Sequence, residues 1–182
     1  QVNDFDQFNI RVDQKLGERD NGFVRYSYND SILTIPSVAP FNGQRNPFAG
    51  QNLAIQETHV FGPRAVNVFK AGYNRGRLLN LIENTPTDVG TELGFKNLNN
   101  SPKDFSLPTV RIIGFNTTGQ FFLNQGSTSN LFQFADTLSL KLGNHSVNTG
   151  ADIRLHQFQV FATLFRQGLT VFAPVFTRNA VA

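Results

Sequence analysis

Along residues 7–16, Phe8, Ile10, Val12 and Leu16 alternate with Gln7, Asn9, Arg11, Asp13 and Lys15. Residues 146–156 repeat the pattern, with Val147, Thr149, Ala151, Ile153 and Leu155 set against Asn148, Gly150, Asp152, Arg154 and His156. A repeat of two places successive side chains on opposite faces of an extended strand, so each run predicts a strand with one apolar and one polar face. The same reading predicts strands over 23–29, where Val24, Tyr26 and Tyr28 alternate with Arg25, Ser27 and Asn29, and over 51–61, where the alternation is blurred. It continues over 65–75, with Asn67, Phe69, Ala71 and Tyr73 opposite Lys70 and Asn74. Over 131–142, Phe132, Phe134, Leu138 and Leu140 stand opposite Gln133, Thr137, Ser139 and Lys141. A strand running to about residue 161 and a short one at 169–172, after a connection at Gln167-Gly168, complete the set.

Three polar, Gly-containing turns join these runs: residues 17–22, Gly62-Pro63-Arg64 and Gly143-Asn144. Between them lie longer connections. Residues 30–50 hold Pro36, Pro40, Pro47, Gly43 and Gly50, and residues 76–128 are Asn-rich and broken by Pro86, Pro102 and Pro108, with a short apolar piece at 109–115. Proline lacks the donor and the φ freedom of a central strand, so these stretches read as loops. Short turns at one end of a meander and long loops at the other are the anatomy of an outer-membrane barrel. Tyr26, Tyr28, Tyr73, Phe132 and Phe134 fall where the strands adjoin the long loops, as an interfacial aromatic girdle does.

The expected fold is therefore all-β: an antiparallel up-and-down meander forming an open section of a large transmembrane β-barrel, with residues 1–182 as one partial barrel domain. Arg11, Asp13, Arg25, Lys70, Lys141, Asp152, Arg154 and His156 are expected toward the lumen. Phe8, Ile10, Tyr26, Tyr28, Phe69, Tyr73, Phe132, Phe134, Ile153 and Leu155 are expected toward lipid. Asp136 breaks the apolar row, and either a β-bulge turning it inward or a protected contact with a neighbouring strand would accommodate it. The alternative is a soluble or surface-attached β-sandwich acting as an adhesion or binding module, which has no reason to segregate its turns and loops in this way.

Composition narrows the function. No Cys is present among 182 residues, so no disulfide framework, thiolate metal site or Cys nucleophile is available. No Met occurs, even at position 1, which reads as a piece of a longer protein. No apolar run approaches the roughly 18–20 residues of a membrane helix, and a mean hydropathy of −0.24 is what half-apolar barrel strands produce. Nineteen Phe without a Trp suit a half-buried pleated surface. The net charge of +3 is scattered, with no basic and aromatic track for nucleic acid.

Three segments carry a family resemblance: DQFNIRVDQKLGERDNGFVRYSYND at 6–30, LAIQETHVFGPRAVNVFKAGYNRGR at 53–77 and LFQFADTLSLKLGNHSVNTGADIR at 131–154. They resemble the Oar-like TonB-dependent receptors, large outer-membrane barrels often described by their carboxypeptidase-regulatory-like N-terminal domain. The resemblance covers somewhat under half of the chain, all of it hairpins or their arms. One departure is SVNTG at 146–150, where a more hydrophobic segment with a lysine is usual. The resemblance implies energy-coupled uptake or reception of an unknown extracellular ligand in the outer membrane of a Gram-negative-type bacterium. The partners would be outer-membrane lipid and, through a plug region absent from this chain, the TonB energy-coupling complex.

Candidate chemistry is sparse. Glu57 with His59, and Asp152 with Arg154 and His156, share strand faces at a spacing of two, but a polar lumen is lined by such residues and cross-strand charge networks account for them. Ser and His occur without a nucleophile-elbow motif, and GYNRGR, which includes Gly76, lacks the spacing of a phosphate loop. No catalytic, cofactor or metal residue is expected, and the domain is expected not to be an enzyme.

Overall fold

The computed structural model describes residues 2–37, 43–82, 87–98, 101–102, 105, 107–115, 117–119, 124–162 and 167–174. Pro40 and Pro86 lie outside the described residues. Six long strands, β1 (Val2–Lys15), β2 (Asp20–Ile35), β3 (Gln44–Gly62), β4 (Ala65–Ile82), β6 (Gln125–Leu142) and β7 (His145–Phe161), form one antiparallel sheet in the order β1-β2-β3-β4-β6-β7. Each neighbour in this sheet follows its predecessor along the chain, apart from the excursion that holds the one-turn helix α1 (Val89–Glu92) and β5 (Thr109–Ile112). Edge strands β1 and β7 do not pair with each other among the described residues, so the sheet is open.

The tight turns follow from local chemistry. Gly143 takes φ +63° while Asn144 does not adopt a positive φ, the type II′ arrangement whose twist matches a two-residue hairpin. No atom lies within 4 Å of the position a Gly143 Cβ would occupy, so a side chain there meets only backbone strain. Gly143→Val should therefore cost about 1–3 kcal/mol, read as a lower urea midpoint of the full-length protein, while Gly62→Ala, with open space and no positive φ, should leave the midpoint in place. At the β3–β4 turn, Pro63 presets an unprimed turn, and a register shift between Val60 and Gly62 absorbs the resulting splay. The first turn is shorter than the sequence predicts: Leu16 N–H donates to Asp20 O at 2.9 Å, and Asp20 to Gly22 already belong to β2.

At the loop end the strands run further than proline and glycine content suggests. Residues 30–35 and 44–50 extend the β2–β3 hairpin, and residues 76–82 and 125–128 extend β4 and β6. Pro47 is tolerated because it pairs with Ile32 on the β2 side, while the ladder to β4 skips Asn46 and Pro47. A residue without an N–H requires such a gap. With 19 residues, β3 spans roughly 60 Å at about 3.3 Å per residue, whereas crossing a bilayer takes about 9–11 residues. The hairpins thus project well beyond any hydrocarbon layer.

The 169–172 strand forms as β8 (Leu169–Phe172), but it does not join the main sheet. It pairs in parallel with β5, from Thr109↔Leu169 to Ile112↔Phe172. The most buried side chains, Ile82, Val89, Thr109, Asn124 and Gln167, gather around these excursions at the loop end, where Asn124 Oδ1 accepts from Ile82 N–H at 3.0 Å. The large sheet has no such core. Ile10 is 59 % exposed and Ile153 67 % exposed, and among the described residues no second sheet covers either face. This overturns the β-sandwich alternative, whose core requires two sheets packed face to face.

Candidate functional site

Registers across the five ladders sort the side chains, because directly opposed residues share a face. Two complete rows are apolar on all six strands: Val12–Val24–Ile55–Ala71–Phe134–Ile153 and Ile10–Tyr26–Leu53–Tyr73–Phe132–Leu155. Phe8, Tyr28 and Phe69 stand on the same face in the adjoining rows. The aromatic rings meet, with Phe8 centroids 5.9 Å from Tyr26 and 5.7 Å from Tyr28, and Tyr73 4.9 Å from Phe132. Tyr73 Oη donates to Asn130 Oδ1 at 3.0 Å. These rings lie in the middle of β2, β4 and β6 rather than at the strand ends, since the strands continue past them.

The opposite face carries Arg11, Asp13, Arg25, Lys70, Lys141, Asp152, Arg154 and His156. Arg11 lies directly across from Arg25, a repulsive placement. Its guanidinium turns instead to Asp13 (2.6 and 2.8 Å) and stands 4.0 Å from the centre of the Phe23 ring. On β7, Arg154 binds Asp152 at 2.9 and 3.1 Å, and Gln133 Nε2 crosses from β6 to the same carboxylate at 2.9 Å. The charge pairs thus run along single strands, and the cross-strand contact comes from an amide. His156 Nε2 meets Ser129 Oγ at 2.8 Å, so Asp152 and His156 do not converge. Between the two edges, Ala54 and Gly72 form the floor of a shallow cavity of about 230 Å³ lined also by Arg25, Lys70, Asn52, Gln56 and Gln133. This face is polar, with the cations Arg25 and Lys70 at its centre.

Asp136 has no bulge before it, because the ladders to β4 and β7 run unbroken through it. It stands on the apolar face, where Asn67 Nδ2 donates to its Oδ1 at 2.8 Å. Glu57 and His59 also stand on the apolar face, in phase with Leu53 and Ile55, which corrects their assignment to a polar lumen. Asp20 joins them. It lies directly opposite His59 and its carboxylate contacts His59 Nδ1. Ligand atoms of Asp20, Glu57 and His59 all fall within 4.8 Å of one another, the single such grouping of three among the described residues. The sequence signal for Asp20 was its even spacing from Tyr26 through Gly22, obscured because Gly22 reads as a turn residue.

No curated protein and no solved structure matches the chain. The model of one family does, over residues 1–182, and its description is outer membrane beta barrel domain. The open antiparallel meander, the apolar rows and the polar opposite face agree with that match, and the chain belongs to this family, an outer-membrane β-barrel domain of Gram-negative type and of a kind that is generally structural or transporting.

Proposed function

We propose that these strands are part of the wall of a TonB-dependent receptor barrel, in which the apolar face meets lipid, the polar face lines the lumen, and a plug region elsewhere in the protein couples ligand uptake to the TonB complex. The observation that carries this reading is the open centre of the polar face. In a small barrel, inward side chains fill the interior; here the middle strands, away from either edge, are floored by Ala54 and Gly72 beneath an open cavity. Such a surface suits a wide lumen closed by a separate plug. The segmental resemblance to Oar-like receptors supports the energy-coupled class. On this reading the connections between β2 and β3 and between β4 and β6 are external and carry ligand recognition, as loops on a rigid scaffold commonly do.

The test uses the full-length protein in its outer membrane. Site-directed cross-linking to the soluble periplasmic domain of TonB should yield one specific adduct through the plug region. Absence of any adduct, together with an ohmic open pore in planar bilayers, would replace the receptor reading with a passive channel.

A further inference from the structure

We propose that Asp20, Glu57 and His59 form a binding site for a divalent first-row transition-metal ion of the zinc class, on the apolar face one to two residue rows in from the tight turns. Register assembles it. Asp20 at the start of β2 is directly opposite His59 on β3, and Glu57 is opposite Gly22, which sets no side chain beside the three donors. The imidazole is held from the turn side by Phe61, with ring centres 4.3 Å apart at an interplanar angle of 66°. An ion about 2.0–2.2 Å from each donor needs them about 3.4 Å apart. Small side-chain rotations from the present spacing of at most 4.8 Å reach that geometry.

A second observation also points to a cation. Two carboxylates and one imidazole share a face whose adjoining rows toward the loops are apolar from edge to edge. Among the described residues Asp20 is paired with His59 alone, and Glu57 has no hydrogen-bond or ion-pair partner. The arginines that neutralise Asp13 and Asp152, Arg11 and Arg154, stand on the other face. Glu57 is thus left uncompensated beside the apolar rows, which is costly to the extent that it is shielded from water, and a bound cation offsets that cost. One nitrogen and two oxygen donors favour zinc and its first-row neighbours over calcium or magnesium, which take all-oxygen shells. Three protein ligands leave a fourth position for water.

The test uses tag-free, chelator-stripped, full-length protein in detergent micelles, titrated with Zn²⁺ against a chromophoric chelator and, separately, with Co²⁺ followed by visible absorption. His59→Ala and Glu57→Gln should each weaken one zinc equivalent by about tenfold or more. His59→Ala should remove the corresponding cobalt bands, and His156→Ala should change neither. Retained heat-modifiable gel mobility verifies that each variant is folded, and Glu57→Gln decides the matter if His59→Ala does not fold. Identical titrations of wild type and both variants, or equal competition by Ca²⁺, would overturn the site. The assignment rests on register and donor set, not on energy coupling, so failure of the TonB cross-link leaves it untouched.

Discussion

Replacing Ile153 by arginine should lower the unfolding free energy of the full-length protein in phospholipid vesicles by about 2–4 kcal/mol, the cost of a cationic side chain near the middle of the lipid-facing band of a barrel. Ile153 lies in the row Val12–Val24–Ile55–Ala71–Phe134–Ile153, with a second fully apolar row on its loop side and Phe69 and Ala151 among its neighbours toward the turns. No protein layer covers it among the described residues, and on the proposed orientation an introduced guanidinium faces lipid, the carboxylate one row toward the turns, Asp136, being held by Asn67. Asn148→Arg, on the same strand but on the polar face opposite Ser139, should shift stability by less than about 0.5 kcal/mol, as for an ordinary surface change. Urea titrations followed by circular dichroism measure both. Equal losses at the two positions would mean that the apolar face does not meet lipid.

Gly150→Val should be at least as damaging, for a reason internal to the sheet. Gly150 pairs with Thr137 on β6, and a Cβ at Gly150 would run into the carbonyl oxygen of Asp136 and come within 3.0 Å of Thr137 Cα. Both obstacles are backbone, so no rotamer change relieves them and the β6–β7 ladder must open. The expected cost is about 3 kcal/mol or more, read as loss of the heat-modifiable folded form. Gly72→Ala provides the contrast. The nearest atoms to its Cβ would be Gln133 Cβ at 3.8 Å and Leu53 O at 3.9 Å, ordinary contact distances, and the variant should fold. Comparable loss in both variants would place the sensitivity in glycine flexibility rather than in close strand approach.

Strand ends were harder to read than strand faces. Proline and glycine mark loops only when nothing compensates for them, and compensation depends on the partner strand. Pro47 sits inside β3 because the β4 ladder omits it, and Asp30 to Ile35 are extended because residues 44–49 are there to pair with them. The parallel β5–β8 contact joins segments about sixty residues apart that carry no alternation to announce it. The broken apolar row marks Asp136 as anomalous, yet its relief comes from Asn67, which is 69 positions distant.

The all-β meander, the order of its hairpins and the division into an apolar and a polar side are legible in the chain alone, because a period of two is a local property that each strand displays by itself. Arg11, Lys70 and Arg154 on one face, and Ile10, Phe69 and Ile153 on the other, follow from that period once the strands pair. Which residues converge is set by the pairing of the strands. Asp20 meets His59 and Glu57 through the β2–β3 register, and the outer segments knit into their own small sheet. Such meetings depend on register between strands, and a register is a non-local quantity that no single strand's pattern contains.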